Sequence, residues 1–70
     1  MNSTELKVQM LRREKTVDQL CAAMGISRTA WFRKVNGGSQ FTQGEIMVLR
    51  RELCLDDQQT GKIFFDEEVS

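Results

Sequence analysis

Four times in this 70-residue chain, a side chain that can cap a helix stands three positions ahead of a Glu or Gln. The four are Asn2-Ser3-Thr4-Glu5, Thr16-Val17-Asp18-Gln19, Thr42-Gln43-Gly44-Glu45 and Asp56-Asp57-Gln58-Gln59. At this spacing the first side chain accepts from an orphan N–H of the opening turn, and the Glu or Gln reaches back to the cap's own N–H. Ser27 supplies a fifth cap without a returning partner. Five starts predict five helices. No segment sustains the alternation of apolar and polar residues that a half-buried strand requires, and proline is absent.

The apolar spacing agrees with that punctuation. Helices are expected over residues 3–13, 17–24, 28–36, 43–53 and 57–65. Their buried positions are Leu6 and Met10; Leu20, Cys21 and Met24; Trp31 and Val35; Ile46, Leu49 and Leu53; and Ile63 with Phe64 or Phe65. No linker, repeat or low-complexity stretch divides the chain, so residues 1–70 are expected to form one small all-α domain. Cys21 and Cys54 form no CxxC pair and histidine is absent, which excludes a zinc site built on familiar ligand spacing. Both cysteines are expected to be small core residues in a reducing compartment. No apolar run is long enough for a signal peptide or membrane span, and the expected location is cytoplasmic.

Charge sharpens the reading. Lys and Arg together balance Asp and Glu at ten each, but unevenly along the chain. Arg12, Arg13, Lys15, Arg28, Arg33 and Lys34 face only Glu14 and Asp18 between positions 12 and 40. From position 41 onward, three basic residues face seven acidic ones. A chain so divided can present a basic face to nucleic acid while its acidic half points away. Without histidine, a nucleophile–base pair or the bulk for a deep pocket, an enzyme is not expected, nor any cofactor.

Residues 16–36 carry the strongest signal. A capped helix ends at Gly25, where positive φ costs little; Ile26 can plug the gap between two helices; Ser27 caps the next. Small residues at Cys21 and Ala22 allow close approach, with Leu20, Met24 and Trp31 filling the space between. From Thr16 to Gly37 the chain resembles the Cro and phage-repressor family, the lambda-repressor-like helix-turn-helix proteins. With its aromatic pair Trp31-Phe32, Arg33-Lys34, and the run from Asn36 through Gly37, Gly38, Phe41 and Gly44 to Ile46, it is similar to small prophage repressors. The similarity extends from about Leu6 to Phe65. It implies a compact five-helix DNA-binding domain, bacterial or phage-encoded, that regulates transcription by occupying a double-stranded operator. One departure is Val17, where many members place a glutamine that touches phosphate or braces the recognition helix.

The resemblance implies that the third helix enters the major groove. Its exposed face offers Arg28, Thr29, Phe32 and Arg33 to the bases, the arginines as bidentate donors to guanine. Thr16, Lys34, Asn36, Ser39 and Thr42 are the expected phosphate contacts, with Asn36 equally suited to closing the helix before Gly37. Trp31 is expected in the core. Phe32, turned about 100° from it, should be half exposed, meeting thymine methyls or covering the loop at Phe41. Ile63, Phe64 and Phe65 either fold onto the core or form a homodimer patch. The acidic run Asp66-Glu67-Glu68 is expected to lie away from phosphate. Zero net charge and Val17 point to an alternative: a protein-interaction module that retains the same fold.

Overall fold

All five caps are used. The computed structural model describes residues 1–65, which contain no strand. The helices are α1 (Ser3–Arg12), α2 (Val17–Met24), α3 (Arg28–Val35), α4 (Gln43–Leu53) and α5 (Asp57–Phe64). Thr16, Thr42 and Asp56 form complete capping boxes with Gln19, Glu45 and Gln59. Ser27 accepts from Ala30 N–H at 3.1 Å without a returning side chain. Asn2 accepts from Glu5 N–H at 3.0 Å, but its box stays open. Glu5 is held instead by Gln9 Nε2 at 3.1 Å and lies 3.6 Å from Lys62 Nζ. The Asn2 N–H turns to α5 and donates to Ile63 O at 2.7 Å, tying the start of the fold to its last helix.

The helices stop by a common device as well. After α1, α2, α3 and α4 the chain places one residue in the left-handed region: Glu14, Gly25, Gly37 and Cys54. Each time, the next N–H bonds back five residues: Lys15 to Met10, Ile26 to Cys21, Gly38 to Arg33 and Leu55 to Arg50. This is the Schellman closure, which satisfies carbonyls the helix leaves over. Arg13, Asn36 and Phe65, expected as the last helical residues, are caps just outside their helices.

The core collects the predicted positions. Leu6, Leu20, Leu49, Leu53 and Ile63 are fully enclosed, with Met10, Cys21 and Trp31 beside them, and Phe41 and Leu55 join from the loops. Met24, Ile26, Val35, Ile46 and Phe64 pack against that cluster from its edge. Helix α2 packs chiefly on α4 and α3, and α1 packs on α5. Phe41 is the hub, edge-on to Trp31 at 5.6 Å and to Phe64 at 5.7 Å, so the loop after α3 is held between α3 and α5. The radius of gyration, 11.2 Å, is close to the about 11 Å of a folded chain this long. The buried Gln9 and Thr60 side chains are both hydrogen-bonded, Gln9 to Glu5 and Thr60 to the Asp56 carbonyl.

Two expectations are corrected here. Cys54 is exposed rather than core: it occupies the left-handed position after α4, which turns its side chain outward and hands the core place to Leu55. Ile63 is wholly buried and unavailable to a partner, and Phe64 is half-buried against Phe41, which leaves Phe65, 59% exposed, as the accessible aromatic of α5's end. The run Asp66-Glu67-Glu68 lies outside the described residues. Among those described, no helix is long and apolar enough to cross a membrane.

The conformation of Cys54 supports a direct prediction. A non-glycine residue in the left-handed region costs roughly 1–2 kcal/mol, and glycine's greater unfolded-state entropy returns about half of that. Cys54→Gly is therefore expected to stabilise by about 0.5–1 kcal/mol. A thermal melt should rise by a few degrees; an unchanged or lower midpoint would show that the strain is absorbed elsewhere.

Candidate nucleic-acid interface

The outward face of α3 is set by its inward one. Trp31 and Val35 turn into the core. At about 100° per residue this leaves Arg28, Thr29, Phe32, Arg33 and Asn36 within an arc of about 140°. All five are exposed, Phe32 by 45%. No acidic residue lies on α3. Short and capped by Ser27, the helix starts three residues after Gly25 (φ +71°), whose left-handed conformation makes the link from α2 tight.

The two arginines differ in their company. Arg28 Nη1 donates to Asp18 Oδ1 on α2 at 2.7 Å, and the Arg28 guanidinium carbon lies 5.7 Å from the centre of the Phe32 ring. Phe32 thus supports Arg28, and among the described residues no ring contact joins it to Phe41. Arg33 has no hydrogen-bond or ion-pair partner for its side chain among the described residues, and the place beside its stem is kept open by Gly38. A Cβ at position 38 would sit 2.9 Å from Arg33 Cγ and 3.3 Å from its carbonyl oxygen. The sequence gives little notice of either support. Asp18 and Arg28 are ten positions apart, and the doublet Gly37-Gly38 marks a turn without saying which side chain it accommodates.

The expected phosphate contacts divide. Thr16, Asn36, Ser39 and Thr42 are all exposed. The Thr16 N–H, however, is occupied by Gln19 Oε1 at 2.9 Å, so at that corner it is the hydroxyl proton of Thr16 and the next N–H groups of α2 that face outward for an anion. Thr42 has the same arrangement with Glu45. Asn36 caps α3 through its backbone N–H, and its side chain makes no hydrogen bond among the described residues. Lys34 is committed inward: its Nζ lies 3.1 Å from Glu45 Oε1, donates to Gln40 O at 3.1 Å and sits over the Phe41 ring. A phosphate contact would have to break these, so Lys34 is a brace between α3 and α4 rather than part of the surface.

That brace titrates. Burial pushes the Glu45 carboxyl up, but the Thr42 N–H, the Lys34 ammonium and the Thr42 hydroxyl together outweigh it and hold Glu45 below its ordinary 4.5. Glu5 is likewise lowered, first by Gln9, against burial, with Lys62 and Arg12 adding to it. Carboxyls depressed on folding stabilise above their unfolded pKa and lose that contribution as pH falls through the folded one. Stability is therefore expected to be level from neutrality to about pH 5 and to decline below 4.5. Glu45→Gln should flatten part of that decline, and urea midpoints measured across the range check both statements.

Elsewhere the chemistry is quiet. The Cys21 thiol is pushed up by burial and by the nearby Asp18 charge, against the opposing pull of Arg28, which keeps it protonated and inert. Among the described residues, no three of His, Cys, Asp or Glu come together as a metal-ligating group. No protein-family model, curated protein or solved structure matches the chain.

Proposed function

We propose that this chain is a sequence-specific DNA-binding regulator of transcription, a helix-turn-helix domain of the lambda-repressor-like kind, in which α2 and α3 form the motif and α3 reads the major groove. The observation that carries the reading is the outward face of α3, where two arginines, a threonine and an asparagine stand together with no acid on the helix. Arg28 and Arg33 supply the base contacts, with Thr29 and Phe32 meeting a base edge or a thymine methyl. Thr16, Asn36, Ser39 and Thr42 flank that face as orienting contacts to phosphate. One eight-residue helix reads few base pairs, so the reading includes two chains on half-sites about one helical turn apart, with Phe65 at the contact. The action is occlusion of a promoter, as in a prophage repressor or Cro-like protein, and it involves no catalysis.

A partner protein is the second reading. Leu11 is 79% exposed on α1 beside the partly exposed Val8, and neighbouring Lys7, Arg12 and Arg13 have no ion pair among the described residues. Fluorescence anisotropy against DNA flanking the chain's own gene, at low and moderate salt, separates the two. Phosphate contacts release counterions and make affinity fall steeply with salt. Salt-independent, fragment-independent binding would reject the operator reading.

A further inference from the structure

Asp18 stands where a DNA-binding surface would least welcome it. It is the only acid on α2, lies in the first turn of that helix, and reaches across the Gly25 link to the first residue of α3. Both members of the Asp18–Arg28 pair are well exposed, so the bridge contributes little stability. What it does is confine one guanidinium between a carboxylate on one side and the Phe32 ring on the other. Resting on the DNA-binding reading, we infer that Asp18 is a positioning residue that sets specificity. It holds Arg28 in place for a base edge and withholds it from phosphate.

A guanidinium has five N–H groups in one planar fork. Asp18 takes one from Nη1, and the fork keeps a parallel pair for the O6 and N7 of a guanine. A guanine edge is neutral and meets no net repulsion from the carboxylate. A phosphate carries a full negative charge and is repelled by it. Together Asp18 and Arg28 carry no net charge, so Arg28 contributes no counterion release on arbitrary DNA. Held already, its side chain also has less freedom to lose when it meets its base. The consequence is lower affinity for the wrong sequence, which is specificity by exclusion.

The test uses the wild type, Asp18→Asn, Arg28→Ala and the double variant. Anisotropy is measured over a salt series on a duplex selected by the wild type from a randomised pool and on a shuffled duplex of equal composition. Asp18→Asn is expected to gain one phosphate contact on the shuffled duplex. Its salt slope should steepen by about 0.9, and its affinity at about 0.1 M salt should rise about eightfold. Affinity for the selected duplex should rise less, so the ratio between the two falls several-fold. None of this should occur in the Arg28→Ala background. An unchanged ratio overturns the inference while leaving the DNA reading in place, and so does an equal gain without Arg28, which would reduce Asp18 to a bare repulsive charge. A wild type that prefers no selected duplex over the shuffled one overturns the DNA reading and the inference with it.

Discussion

Leu49→Ala is expected to remove about half of the protein's stability. Leu49 lies in α4, wholly removed from solvent within the core cluster, and α4 is the main packing partner of α2. Removing three buried carbons forfeits their transfer free energy and opens a cavity that the surroundings fill only in part, at a cost of about 2–5 kcal/mol. A chain this short has roughly 4–10 kcal/mol of stability in total. Its ion pairs cannot make up the difference, since most are exposed and contribute little. Leu11→Ala, on the exposed side of α1, removes the same atoms from a residue already in water and should change the stability by less than about 0.5 kcal/mol. Helical circular dichroism during urea titration measures both. Equal midpoints for the two variants would mean that α4 does not anchor the core.

Arg33→Ala is expected to weaken binding to the preferred DNA fragment by about 10–100-fold, the loss of one good bidentate contact of about 1–3 kcal/mol. Arg33 is the better of the two arginines for this experiment because its side chain has no partner among the described residues, so removing it breaks no other contact, whereas removing Arg28 also orphans Asp18. Arg33→Lys separates its charge from its shape. A lysine keeps the attraction to phosphate but not the planar fork, so affinity for arbitrary DNA should persist while discrimination is lost. Titrated at stoichiometric concentration, the wild type should saturate at two chains per duplex. Equal binding by wild type and Arg33→Ala would remove α3 from the interface, and saturation at one chain would remove the half-site arrangement.

Much of the fold was readable because helix starts are chemical. A threonine or aspartate three residues ahead of Gln or Glu states where a helix begins, and Thr16, Thr42 and Asp56 all proved to be caps. Helix ends were readable only where glycine marks them. Gly25 and Gly37 announce the left-handed residue, whereas Glu14 and Cys54 adopt the same conformation with no signal in their side chains. That is why Cys54, one position past Leu53 on an apolar pattern, was expected inside and is found outside. Residues of the candidate surface were readable as a face, since helical spacing alone separates Arg28, Thr29, Phe32 and Arg33 from Trp31. Their partners were not. The pairing of Arg28 with Asp18, and of Lys34 with Glu45, depends on how neighbouring helices meet, and separations of ten and eleven positions across turns leave no periodic trace.

The aromatic cluster has a practical corollary. Trp31 is the only tryptophan, and the chain has no tyrosine. Its indole is enclosed and edge-on to Phe41, which is itself edge-on to Phe64 at the end of α5. The protein therefore carries a built-in optical gauge, undiluted by tyrosine emission, seated on the inner side of the very helix whose outer side is the candidate surface. Emission from Trp31 reports directly on whether the loop after α3 and the final helix remain docked. A ligand that merely lies against α3 leaves that light unchanged, and one that pries the final helix loose shifts it to the red.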